Sequence, residues 1–136
     1  MRIRIIGGGP AGLFYAYLMK RDDPRHDIHV YERDPENATY GWGVVFSDVA
    51  LAFVRDLAPE LYDAVTANQE VFDEMAVVHQ GVHVTLPLNT YHRMARTDLL
   101  KALHPQCRAV GVEIVFVHRL GDPAELGPCD LAVDTE

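Results

Sequence analysis

The chain has 136 residues, 49% of them hydrophobic, which suits one domain with a packed core. Twelve Lys and Arg stand against 20 Asp and Glu for a formal charge of −8, a balance that excludes nucleic acid or an anionic membrane as the main partner while leaving local phosphate binding open. No apolar run reaches the roughly 18 residues of a membrane span, no basic-then-apolar leader precedes the first strand, and Cys107 and Cys129 lack CxxC spacing, so we expect a cytoplasmic protein with two reduced core thiols.

Residues 2–6 predict a buried strand and 10–21 a helix, closed by Arg21-Asp22-Asp23-Pro24. Ile28 to Glu32 predicts a second strand, completing a βαβ unit and with it a parallel sheet. Residues 34–46 are expected to form a loop. Ser47 or Asp48 should cap a helix through about Leu57, and Pro59 should open another to about Asn68. Residues 71–79 and 82–88 alternate around Gly81 and predict a two-stranded excursion. A helix is expected from Thr97 or Asp98, kinked near Pro105 and closed by Gly111. Strands are expected over 112–117 and 131–133. With no linker or repeat, residues 1–136 are taken as one domain.

The glycine run Gly7-Gly8-Gly9-Pro10-Ala11-Gly12 sits where the first strand meets the first helix. If that junction grips a dinucleotide, Gly7 permits the tight turn, Gly9 lets backbone approach a pyrophosphate, and Gly12 lets the helix pack close to the sheet. Pro10 and Ala11 open the helix, whose free N–H groups and positive dipole end face the phosphates. Glu32 lies 20 residues beyond Gly12 at the end of the second strand, where an acid accepts hydrogen bonds from ribose hydroxyls. An acid there favours a free 2′-hydroxyl, hence FAD or NAD over NADP. Without a nucleotide, the same residues are a glycine-rich turn and a surface glutamate.

With GGGPAGL and Tyr31-Glu32-Arg33-Asp34, the stretch Gly41-Trp42-Gly43-Val44-Val45-Phe46-Ser47-Asp48 resembles the N-terminus of the single-component flavoprotein aromatic hydroxylases. Within them it is most similar to the aryl-CoA branch, the salicylyl-CoA 5-hydroxylase and 2-aminobenzoyl-CoA monooxygenase group. The resemblance implies a Rossmann-like FAD-binding fold of the α/β class with a parallel central sheet and a small β excursion. It implies Arg33 near the adenosine, Gly43, Val44 and Val45 on the flavin side, and Arg96 of Arg96-Thr97-Asp98-Leu99-Leu100 on the cofactor, with Arg93 as a rival. Structural alternatives are a solvated Arg33, a Gly-rich turn with a core Trp42 and two valines over 41–48, and an Arg96 that merely precedes a helix cap. The resemblance runs to about residue 133. Where the family continues into an Asp-Gly motif, this chain has Asp134-Thr135-Glu136, so the fold is expected to be truncated, with the substrate domain absent.

The function so implied is the FAD-binding portion of a flavoprotein monooxygenase, with NAD(P)H as transient reductant, an aromatic or aryl-CoA substrate and the remainder of the enzyme as a partner. The cofactor carries such chemistry, so no catalytic acid or base is expected. A non-catalytic dinucleotide-binding module or partner subunit, and an NAD-dependent dehydrogenase domain, are the alternatives. Seven histidines give no metal-ligand pattern, since Gly81 separates His79 from His83 in strand-like sequence.

Overall fold

In a computed structural model of the protein, which describes residues 1–36, 38, 41–86 and 90–135, strand β1 (Arg2–Ile6) buries Ile3 and Ile5 completely on one face. The chain turns through the glycine run into helix α1 (Pro10–Asp22), which buries Gly12, Leu13, Ala16 and Tyr17 along one stripe and carries Lys20 and Arg21 in its last turn, where cations favour the dipole. Then follow β2 (Asp27–Tyr31), β3 (Val44–Ser47), α2 (Asp48–Leu57), α3 (Pro59–Thr66), β4 (Glu70–Phe72), β5 (Met75–His79), β6 (Val82–Leu86) and β7 (Tyr91–Met94). Helix α4 (Arg96–Val110), β8 (Glu113–Val115), a 3-10 turn (Pro123–Leu126) and β9 (Leu131–Asp134) complete the order. These elements gather into two units, residues 1–40 with 99–136, and residues 41–98.

The first unit is a wholly parallel four-stranded sheet in the order β8-β2-β1-β9. Counted within the unit the order is 3-2-1-4, the start of a doubly wound dinucleotide fold, and its direction of growth reverses between β1 and β9. Ligands of such sheets bind outside the carboxyl ends of the strands at that reversal, which is where the glycine run lies. The core combines Ile3, Ile5, Ile28 and Val30 from the sheet with Leu13, Ala16 and Tyr17 of α1 and Leu99, Leu103 and Cys107 of α4. Gly111, at φ +92°, ends α4 in the left-handed conformation that glycine tolerates, and Val112 N–H donates to the Cys107 carbonyl at 3.0 Å.

Two expectations in this unit need adjusting. The strand foreseen over 112–117 stops at Val115, because Val117 takes φ +57°, which no strand residue adopts. Of the two thiols, Cys107 is buried and Cys129 only half-buried; both are free. Burial pushes the Cys107 thiol up to about 12, so it stays protonated and inert.

In the second unit, β7 is flanked antiparallel by β3 and β4, with Val44 opposite Met94 and Glu70 opposite Arg93. Helices α2 and α3 bury Leu51, Val54, Leu61 and Val65. Ser47 caps α2 by accepting from Ala50 N–H at 3.2 Å. The His92 ring on β7 lies between Asp48 Oδ1 at 2.5 Å and Gln69 Oε1 at 2.7 Å, and its hydrogen bond holds the Asp48 carboxyl below the usual carboxylate range. β5 and β6 form a separate hairpin that turns at Gln80 and Gly81, both at positive φ as a two-residue I′ turn requires.

Here the expected loop over 34–46 gives way to β3 from Val44 onward: two β-branched residues and Phe46 pair with β7, a strand not anticipated. The expected 71–79 strand divides, Glu70–Phe72 joining β7 and Met75–His79 joining β6. Parts of the expected 34–46 loop (residues 37, 39 and 40) and of the 82–88 strand (87 and 88) lie outside the described residues.

Candidate functional site

Gly7 adopts φ +99° directly after β1 and donates its N–H to the Tyr31 carbonyl at 2.9 Å, tying the turn to the end of β2. Its glycine identity is therefore a backbone requirement. Gly9 is the N-cap of α1 in extended conformation and offers no side-chain cap; its carbonyl accepts from Leu13 N–H at 3.1 Å. Pro10 and Ala11 form the first turn, so the helix starts without a side chain over its N-terminal amides. A Cβ on Gly12 would lie 2.2 Å from the Gly7 carbonyl oxygen and 2.9 Å from Thr135 Oγ1, contacts that no real side chain tolerates.

Glu32 stands one residue beyond β2 and is half-buried. Its carboxylate accepts from Gly8 N–H at Oε2 and from Asp34 N–H at Oε1, both at 2.8 Å. Its own backbone is held too: Glu32 N–H donates to the Val115 carbonyl at 2.8 Å, and His118 N–H donates to the Glu32 carbonyl at 2.9 Å. Each carboxylate oxygen thus has one backbone donor and keeps further acceptor capacity for a hydroxyl. Arg33, half-exposed, has its Nε 3.7 Å from Asp34 Oδ2.

Gly8 had no assigned task in the sequence. A Cβ there would meet Glu32 Cβ at 2.8 Å, so the second glycine of the run exists to admit the acid. The run of three consecutive glycines was the available signal. Thr135, directly after β9, donates its N–H to the Ile6 carbonyl at 2.9 Å, and its hydroxyl lies 2.9 Å from that carbonyl and 3.1 Å from the Gly7 carbonyl. No local spacing links residues 7 and 135, so no motif could have flagged it.

The remaining candidates belong to the second unit. A Cβ on Gly43 would lie 2.9 Å from the Met94 carbonyl oxygen, so close approach of β3 to β7 already demands glycine there. Gly43 and Val45 line a cleft of about 520 Å³ with Trp42, Arg93 and Met94; Val44 is not among its lining residues. Arg93 is engaged with Glu70 across the β4–β7 pair. Arg96 opens α4 with its Nε buried and, among the described residues, without a hydrogen-bond partner. A buried unpaired guanidinium nitrogen is costly and suits an acceptor brought by a ligand.

Among the described residues, no group of three or more His, Cys, Asp or Glu side chains gathers where a metal ion could sit, and no helix is long and apolar enough to cross a membrane.

A family model described as NAD(P)-binding Rossmann-like domain matches residues 5–76. The chain is 36% identical over 133 residues to salicyloyl-CoA 5-hydroxylase of a Streptomyces species, covering 98% of this chain and 26% of that protein. It is 35% identical over 133 residues to 3-hydroxy-4-methyl-anthranilyl-[aryl-carrier protein] 5-monooxygenase of Streptosporangium sibiricum, covering 98% and 37%. The chain therefore spans about a quarter to just over a third of these relatives. A crystal structure of MHPCO, 2-methyl-3-hydroxypyridine-5-carboxylic acid oxygenase, superposes with a TM-score of 0.74 at 23% identity, covering 90% of this chain and 34% of that one, a likeness of fold.

Proposed function

This chain belongs to the NAD(P)-binding Rossmann-like domain family, and on that premise we propose that it is the FAD-binding portion of an NAD(P)H-dependent flavoprotein monooxygenase acting on an aromatic, aryl-CoA-type substrate in the cytoplasm. The observation that carries this reading is the identity of about a third to salicyloyl-CoA 5-hydroxylase and to the aryl-carrier-protein monooxygenase along nearly the whole chain. Both compact units are then parts of one FAD-binding domain over residues 1–136, and the relatives' further length supports a substrate-binding part supplied elsewhere.

The residues present fit a dinucleotide. In the first unit the N-terminus of α1, without a side-chain cap, is what an anionic cofactor calls for; in the second, Arg96 Nε, without a hydrogen-bond partner among the described residues, suits an acceptor brought by a ligand. Gly7, Gly9, Pro10, Ala11 and Gly12 would hold the pyrophosphate, Glu32 the adenosine ribose and Arg33 the adenosine end. Arg96 would meet the cofactor's acceptors, and Gly43, Val44 and Val45 would flank the flavin. When bound, FAD supplies electron transfer from NAD(P)H and activation of oxygen. The chain's own residues bind, orient and shield; no side chain here is assigned a proton transfer.

Equilibrium dialysis against FAD, ADP and NAD tests the reading. FAD should bind more tightly than NAD. Tighter binding of NAD would favour a dehydrogenase domain instead, and a bound flavin that neither NADH nor NADPH reduces would favour a non-catalytic module.

A further inference from the structure

The Gly7–Gly8 peptide is gripped from both sides. A trans peptide points its C=O and N–H in opposite directions. Here the Gly7 oxygen faces the Thr135 hydroxyl at 3.1 Å, while the Gly8 N–H donates to Glu32 Oε2 at 2.8 Å. The hydroxyl also lies 2.9 Å from the Ile6 carbonyl, which accepts the Thr135 N–H at 2.9 Å as well, so it bridges the Ile6 and Gly7 oxygens at the end of β1. Helix α1 closes the remaining side, since the position of a Cβ on Gly12 lies 2.2 Å from the same Gly7 oxygen and 2.9 Å from Thr135 Oγ1. The hydroxyl thus occupies the notch that glycine 12 leaves open. β9 and β2 flank β1 on opposite sides, so hydroxyl, peptide and carboxylate form one line of hydrogen bonds across the ends of three strands. In such a line each bond polarises the next.

We propose that Thr135 is a positioning residue: its hydroxyl locks the Gly7–Gly8 peptide and, through that peptide, aims the Glu32 carboxylate at the ribose of the bound dinucleotide. The proposal rests on the dinucleotide reading above. It separates Thr135 from an ordinary strand-end threonine, whose loss would loosen β9 without reaching Glu32.

The experiment uses the full chain as wild type, Thr135→Val, Thr135→Ser, Glu32→Ala and the Thr135→Val/Glu32→Ala double variant, with Thr135→Ala in reserve should valine prevent folding. Amide hydrogen exchange at Gly8 is measured without ligand, and ADP affinity by calorimetric titration. Thr135→Val should speed Gly8 exchange and weaken ADP binding roughly three- to tenfold, the span of one net hydrogen bond. Thr135→Ser should restore both, and exchange within β2 should not change. In the Glu32→Ala background, adding Thr135→Val should alter affinity by less than about twofold, because the two act as one unit. Unchanged Gly8 exchange in Thr135→Val, or an equal loss of affinity in both backgrounds, overturns the proposal. If wild type binds neither ADP nor FAD, the dinucleotide reading falls, and Gly8 exchange alone decides whether the clamp exists.

Discussion

Two sets of strands in this molecule are made of the same kinds of residue and meet opposite fates. In the parallel sheet, Ile3, Ile5, Ile28 and Val30 are shut away from water, and helices α1 and α4 contribute Leu13, Leu99 and Leu103 to the same core. In the β5–β6 hairpin, Val77, Val78, Val82 and Val84 are between 46% and 63% exposed. β-Branched residues favour an extended backbone in both places, but only tertiary packing decides whether that backbone is covered. Tight tolerances follow the coverage: every glycine-to-neighbour distance under 3 Å lies in the parallel unit or at the β3–β7 pair, while Gly81 of the hairpin turn has open space around it.

Substitutions can break this contrast, and the largest effect is expected at Gly12. Gly12→Val forces a Cβ against the Gly7 carbonyl. It should lower stability by about 1–3 kcal/mol or more by overpacking and abolish ADP binding, as read by urea denaturation and calorimetric titration. Next, Glu32→Ala should leave the fold intact, as circular dichroism would report, and weaken ADP binding by about 1.5–3 kcal/mol, the range for hydrogen bonds to a charged group. An unmoved affinity would make Glu32 a strand-end cap only.

Near neutral pH, one effect should come from the covered unit. His104 on α4 is 4% exposed, and burial lowers its pKa below the ordinary 6.5, opposed by the charge of Glu36 at 3.8 Å and helped by Arg108. With its folded pKa depressed, the unfolded chain takes up the proton first, so this contribution is present above about pH 6.5 and fades as pH falls below it. Urea midpoints should decline from pH 7.5 to 5.5, less steeply in His104→Leu. The smallest effect is expected in the hairpin, where Val82→Thr should change stability by no more than about 0.5 kcal/mol. A loss comparable to a core substitution would mean that this face is covered in solution.

Legibility in the sequence followed the range of the interactions. β1, the glycine run, α1 and β2 with Glu32 are contiguous, and each carries its own signal in period, turn chemistry or spacing, so their bounds fell within a residue or two. The same holds for Ser47 as the cap of α2 and Gly111 as the end of α4. β3 and β7 escaped because neither is a strand by itself: Val44-Val45-Phe46 and Tyr91-His92-Arg93-Met94 become strands by pairing across nearly fifty residues. At the candidate site, the glycines and the acid were visible as spacing. The clash that makes Gly8 obligatory, the unpaired Arg96 nitrogen and the Thr135 hydroxyl were invisible, because each depends on where a distant backbone comes to rest.

The pairing of β1 with β9 has a consequence for synthesis. Ile6, the last residue of the first strand, hydrogen-bonds with a segment 129 residues later, and the middle of the sheet cannot complete itself from its own neighbourhood. A chain emerging from the ribosome exposes the glycine turn early, yet the hydroxyl that steadies it is among the last groups of this stretch to leave the exit tunnel. Until residue 135 has been made, then, the glycine turn lacks this hold, and any nucleotide that depends on it must wait for the chain to come back to its first strand.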